Sequence, residues 1–219
     1  MESQTKINKS KIDWPFPNLH TWNPVIGCPR NCFDGQCWAF KTNERLKNIE
    51  KITGRKTNGW VEDFSKPTII QKQHNPIFPD KPAHIFVGSR SDICFWEHTI
   101  IERVIHTCTD NPKHTFVFLT KNSVVYISYE FPNNCILGLT LTGKENKRVK
   151  SYQISWLIEY HTRNKLFLSV EPLLSHVGTV MDTINLVIVG AQSGKNAISP
   201  KKEWIEMRGI SRTYFYALI

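Results

Sequence analysis

The stretch "HIFVGSRSDICFWEHTIIERVIHTCTDNPKHTFVFLTKN", residues 84–122, decides the fold. Its two apolar runs, "HIFVG" (84–88) and "HTFVFLT" (114–120), are short, nearly continuous and bounded by polar residues, the pattern of strands buried on both faces. Between them "EHTIIERVIHTC" sets Ile100, Ile101, Val104, Ile105 and Cys108 on one helical face. Strand, amphipathic helix and strand make a right-handed βαβ unit. The same kind of run returns at "CILGLTL" (135–141), "KLFLSV" (165–170) and "NLVIVG" (185–190), with "KRVKSYQISWLIEYH" as a second helix between strands. The chain is therefore expected to be α/β, with a parallel sheet that is open or closed into a barrel. Weaker strands are expected at "PTIIQ" (67–71) and around Leu19 to Trp22, and a further helix at "WAFKTNERLKNIEKI".

The residues at the strand tips point to function. The apolar runs give way to "SRSD" (89–92), "TKN" (120–122), "TGKEN" (142–146), "SVEP" (169–172) and "GAQSG" (190–194), all small, hydroxyl-bearing or charged. In a parallel sheet every strand ends on the same side, so these tips should converge on one mouth, together with the loop "GCPRNCFDGQC".

A chain of 219 residues is long enough for one domain with a full core. The N-terminus has no apolar leader-like segment, and no run of eighteen apolar residues occurs, so a soluble cytoplasmic protein without membrane contact is expected. In that reducing compartment, clustered cysteines suggest a metal or cluster site in preference to disulfides. The formal charge of +9, from 28 Lys and Arg against 19 Asp and Glu, favours polyanionic partners such as nucleic acid.

Cys28, Cys32 and Cys37 are spaced C-x3-C-x4-C on a turn-rich polar loop, which is no packed element. Structural zinc is closed by four ligands, and the fourth would have to come from outside the loop, with His20 as the candidate. An iron–sulfur cubane held by three cysteines keeps one iron open. Both readings stand on the residues alone. Cys94, Cys108 and Cys135, scattered in apolar surroundings, are expected to be buried free thiols.

The three-cysteine loop followed by "CWAF" resembles the cluster motif of the radical S-adenosylmethionine superfamily. More closely, "TWNPVIGC", "FVGSRSD", "FVFLTKN", "LGLTLTG", "LSVEPLL" and "VIVGAQSG…SPKKEW" are similar, in order, to a phage-associated family of radical-SAM-like proteins of unknown function. The resemblance runs from about residue 13 to residue 206. It implies a partial (β/α)6 TIM-like barrel over residues 13–219 behind a disordered basic tail (1–12). It further implies a [4Fe-4S] cluster on Cys28, Cys32 and Cys37, S-adenosylmethionine at the open iron, and an electron donor such as a flavodoxin or ferredoxin. Two departures accompany it: the superfamily's common spacing is C-x3-C-x2-C, and "EMRGISRTYFYALI" does not match the family's closing helix and strand, so an altered barrel end is expected.

By the same resemblance, Ser89, Arg90, Ser91 and Asp92 form the loop that meets S-adenosylmethionine, with Asp92 on its ammonium or ribose and Arg90 on its carboxylate. The competing reading makes "SRSD" a capping segment before "ICFWEHTI", with Asp92 or Ser91 as the cap. Thr140, Gly190 and Gln192 are further candidate cofactor contacts, Lys121 a candidate for an anionic group, and Glu171 the candidate catalytic acid, because a carboxylate directly after a buried strand must be paired or functional. Trp22, Trp38 and Trp96 are expected in the core or shielding the cluster.

Overall fold

The computed structural model describes the chain except residues 1–4, 31, 33–36, 58, 145–146, 161–162, 178–182, 193–196, 205–212 and 217–219, and the side chains of 147–150, 202 and 213–216. Seven strands, β1 (Leu19–Trp22), β2 (His84–Val87), β3 (Thr115–Thr120), β4 (Cys135–Thr140), β5 (Lys165–Val170), β6 (Leu186–Gly190) and β7 (Thr213–Tyr216), lie side by side in chain order. Every adjacent pair among them is parallel, and Asn8–Lys9 adds an antiparallel edge beside β1. The winding never reverses, so all strand ends face one way. The sheet is open, with Asn8–Lys9 and β7 as its edges, and it is not a closed barrel.

Among the described residues four helices accompany it: α1 (Trp38–Thr53), α2 (His98–Asp110), the single turn α3 (Val124–Ile127) and α4 (Lys147–Tyr160). Ile100, Ile101, Val104 and Cys108 of α2, with Ile154 and Leu157 of α4, belong to one core with Ile85, Val87, Phe116, Phe118, Leu137, Leu168 and Val189 of the sheet. Each fully buried aliphatic side chain there stabilises by about 1.5–3 kcal/mol, which explains why these helices follow the sequence periodicity closely. The opposite face, carrying Phe86, Val117, Phe167 and Ile188, is covered by the N-terminal stretch through Ile12, Trp14, Phe16 and Leu19. The Trp14 ring sits 4.8 Å from Phe86 and 5.8 Å from Phe167. Gly138 belongs here for a steric reason, since a Cβ at this position would run into the Phe167 ring.

The chain between β1 and β2 forms an insert. Val25–Ile26 pairs antiparallel with Thr68–Ile69, so the expected strand at 67–71 shrinks to two residues outside the main sheet. The next residue, Ile70, donates to the Pro24 carbonyl, and a 3-10 turn, Gln71–Gln73, ends the strand. α1 leans on this insert: Asn43 donates to the Val61 carbonyl and accepts from the Val61 N–H, both at 2.9 Å. Gly54, at φ 65°, closes α1 by donating to Glu50.

The tail also departs from expectation. From residue 5 it is paired, Thr5–Lys6 with Pro76–Ile77 and Asn8–Lys9 with β1, because Ile7 is buried in the main core and draws its basic neighbours with it. At the other end, Thr213–Tyr216 of "EMRGISRTYFYALI" forms β7, parallel to β6. Among the described residues no helix is long and apolar enough to cross a membrane.

Candidate functional site

The carboxyl ends of the strands meet the insert around a cavity of about 120 Å³. Cys28, Cys32 and Cys37 line it, with Arg30, Ala39, the β2 tip from Gly88 to Asp92, Leu119 to Lys121, and Thr140. Three thiols from the loop after β1 thus face the residues that leave β2, β3 and β4, tens of residues further along the chain.

The thiols influence one another. Cys37 immediately precedes α1, and its sulfur accepts from the Cys32 thiol and from the backbone N–H groups of Phe40 and Ala39, which together hold it down at about 5. Cys32, the donor of that pair, is pushed up by the same bond and by burial, while Lys121 pulls both sulfurs toward the thiolate. Cys28 is raised by burial, and the charges of Asp92 and Cys37 add to the effect. Its backbone N–H is fixed to the Phe64 carbonyl at 2.7 Å.

Among the described residues no three His, Cys, Asp or Glu side chains are drawn close enough together to hold a metal ion. The donor chemistry nevertheless fits a group taking three protein ligands: three thiols line one cavity, two of them in hydrogen-bond contact. His20 does not join them. It sits on β1 with Nδ1 3.0 Å from the Asn18 carbonyl oxygen, and its ring influences His114 at the start of β3.

The β2 tip is built more as a bracket than as a row of free ligands. Asp92 is fully engaged, Oδ1 accepting from Thr120 Oγ1 at 2.5 Å and from the Cys94 N–H at 3.2 Å, Oδ2 from the Lys121 N–H at 3.0 Å. The capping reading of "SRSD" therefore holds for Asp92, which starts the 3-10 turn Ile93–Phe95 and locks the tip of β3. Ser91 donates to the Gly27 carbonyl at 2.5 Å and accepts from Trp96 Nε1 at 2.9 Å. Ser89 Oγ and the Arg90 N–H both donate to Asn23 Oδ1, at 3.0 and 3.1 Å.

Arg90 is different. It is only 7% exposed, and its Nη1 donates to the Gly59 carbonyl while Nε and Nη2 are buried without a partner among the described residues. Burial alone brings its pKa down to about 10, so the guanidinium remains charged at neutral pH. Arg30, whose guanidinium lies 5.6 Å from the Phe95 ring centre, also has a buried, unpartnered Nε, and Thr140 Oγ1 is buried and unpartnered.

These arrangements lie within a family match. Residues 9–212 match the family described as "Protein of unknown function (DUF5131)". The chain belongs to that family. No curated protein and no solved structure matches it. The DUF5131 match spans the cysteine loop and β1 through β6, so cavity and strand tips all fall inside the family's extent.

The remaining sequence candidates lie beside the DUF5131 cavity and do not line it. Glu171 is on the face that Phe86 and Leu119 of the cavity wall share and that Trp14 covers, accepting on Oε2 from Ser169 Oγ at 2.8 Å and from Trp14 Nε1 at 3.0 Å. Burial raises its pKa, opposed by those two bonds and by the charge of Lys121. Lys121 thus acts on Glu171 on one side and on the thiols on the other. Gly190 makes room for Glu171, whose Oε1 lies 2.7 Å from where a Cβ at 190 would sit, so that space is not open to a ligand. Gln192 uses Oε1 to accept from the Ile198 N–H at 3.0 Å, closing its own loop. Trp22 and Trp96 are buried as expected, whereas Trp38 is 57% exposed and shields nothing. Cys108 and Cys135 are buried free thiols, and Cys94 is half-buried, pushed up to about 12 by burial and by Asp92.

Sequence reasoning misses Asn23, Arg30 and Thr120 as site residues. The available signal was position: Asn23 directly follows β1, Thr120 ends β3, and Arg30 lies between two of the loop cysteines.

Proposed function

We propose that this chain is a radical S-adenosylmethionine enzyme, with a [4Fe-4S] cluster on Cys28, Cys32 and Cys37, S-adenosylmethionine at the open iron, and the open sheet as a partial (β/α)6 barrel. The observation that carries this reading is that the three loop thiols share one cavity with the β2 tip at the carboxyl ends of sequentially wound parallel strands. Held by Cys28, Cys32 and Cys37, such a cluster would supply one-electron reduction of S-adenosylmethionine, with the electron coming from a flavodoxin- or ferredoxin-like donor. The chain's own residues bind and orient. The N–H groups of Ala39 and Phe40, with Lys121, favour the thiolate forms that ligation needs. Asp92 holds the tips of β2 and β3 in register around the cavity. Glu171, held by Trp14 Nε1 and Ser169 Oγ and kept toward its protonated form by burial, is placed to hold a proton beside a substrate reaching past Lys121.

The test is anaerobic reconstitution with iron and sulfide, followed by S-adenosylmethionine and a reductant. The expected result is a brown protein with broad visible absorbance and about four irons per chain, yielding 5′-deoxyadenosine. One zinc, no iron and no colour would sink the reading in favour of a non-catalytic zinc protein. Iron without 5′-deoxyadenosine would leave a cluster protein with no reductive cleavage.

A further inference from the structure

We propose that the cavity contains a phosphate-monoester subsite formed by Arg90 and Arg30 with Lys121 at its edge, and that the molecule bound there is a phosphorylated small molecule or nucleotide. The argument starts from unspent donors. Arg90 is more than nine-tenths buried and lines the cavity with Nε and Nη2 unpartnered, and Arg30 Nε is in the same condition. Burying guanidinium N–H groups without acceptors is costly, so a structure that keeps two such residues at one cavity is short of an acceptor. No described protein group supplies it. Among the described residues Arg30, Arg90 and Lys121 form no ion pair, and Asp92, the carboxylate of the cavity wall, has both oxygens committed to Thr120, Cys94 and Lys121 donors.

The number of unspent donors selects the kind of anion. Three cations face the Asp92 carboxylate and the Cys37 thiolate at the cavity, and Arg90 Nε and Nη2, Arg30 Nε and Thr140 Oγ1 have no partner among the described residues. A carboxylate presents two acceptor oxygens, whereas a phosphate monoester presents three strong ones. A forked guanidinium is suited to binding two of those oxygens together. The net charge of +9 would speed the approach of such a ligand. As an anion site the proposal stands on the arginines. As the place where a substrate of radical chemistry is held, it rests on the radical S-adenosylmethionine reading.

The probe is inorganic phosphate, titrated into the full chain by calorimetry at low ionic strength, with adenosine monophosphate, acetate and a short unphosphorylated oligonucleotide as parallel arms. The expected result is saturable binding of phosphate and adenosine monophosphate, at least tenfold weaker in Arg90→Gln and Arg30→Gln and intact in the remote Lys165→Gln. Arg90→Lys keeps the charge without the fork and should bind with intermediate affinity, which guards against a variant that fails to fold. Equal binding by wild type and both Gln variants would overturn the proposal and assign the effect to general surface charge. Acetate binding as well as phosphate would overturn the monoester in favour of a carboxylate, and oligonucleotide binding that depends on Arg90 would overturn it in favour of a phosphodiester. Iron content of Arg90→Gln separates the two readings: phosphate binding lost with iron loading intact supports the subsite, while phosphate binding in a chain that takes up no iron keeps the subsite and removes the enzyme.

Discussion

The two ends of the sheet differ in a way that size does not predict. At the amino ends of the strands, the turns entering β4 and β5 enclose about 790 Å³ beside Tyr129, Tyr160 and Arg163, whereas the cavity at the carboxyl ends is about 120 Å³. Yet in the larger space the buried polar groups are spent: Tyr126 donates to the Gly138 carbonyl at 3.0 Å, and Asn164 to the carbonyls of Pro132 and Cys135 at 3.0 and 3.1 Å. In the smaller one, thiols and guanidinium N–H groups have unused capacity. Strand tips are free of ladder hydrogen bonds and all point one way, so chemistry collects there, while the amino-end turns need their polar side chains to tie down the backbone.

That contrast can be broken by experiment, the largest effect first. Replacing Cys28, Cys32 or Cys37 by Ala should reduce iron uptake on reconstitution at least tenfold, whereas Cys108→Ala, buried behind the sheet, should load like wild type. Equal iron in Cys32→Ala and Cys108→Ala would remove the distinction. Next comes the face between the two ends: Gly138→Ala should lower stability in chemical denaturation by about 1–3 kcal/mol, because the new methyl meets the Phe167 ring. Adding Phe167→Leu to it should recover part of the loss, which independent sites would not do.

The two regions should also answer pH in opposite senses. Glu171 has a folded pKa raised above its ordinary 4.5, so its contribution is fully present below that value and is lost as pH rises through the folded one. Glu171→Gln should therefore gain stability relative to wild type as pH increases, measured as the difference in denaturation midpoint. His114, at the amino end of β3, is buried with both ring nitrogens unpartnered among the described residues, and burial lowers its pKa from 6.5. Its contribution is present above pH 6.5 and lost as pH falls through the folded value, so His114→Phe should flatten the acid side of the profile. The smallest effect belongs to the larger cavity: Tyr160→Ala, at an exposed position, should change stability by no more than about 0.5 kcal/mol and leave iron loading unchanged. A loss of iron there would mean that the two ends are coupled.

Periodicity made the main strands and helices α2 and α4 legible, because burial of a sheet on both faces leaves continuous apolar runs and an amphipathic helix leaves a stripe. Residues 84–122 alone predicted β2, α2 and β3 in order. The paired tail was not legible, since one buried side chain, Ile7, outweighs the lysines around it and only the assembled core shows where it goes. Nor was the strand at 67–71, whose β-branched residues pair within the insert for two positions only.

For the candidate site, the sequence by itself determined the chemical inventory: three thiols in one loop, a row of polar strand tips, and an acid after β5. Tertiary structure decided what each is free to do. It committed Asp92 to the backbone of β3, gave the space at Gly190 to Glu171, closed Gln192 onto its own loop, and left Arg30 and Arg90 with unpartnered N–H groups in the cavity. The reason is physical: residue type fixes how many hydrogen bonds and charges a side chain carries, but whether they are spent depends on partners brought near by the fold from tens of residues away.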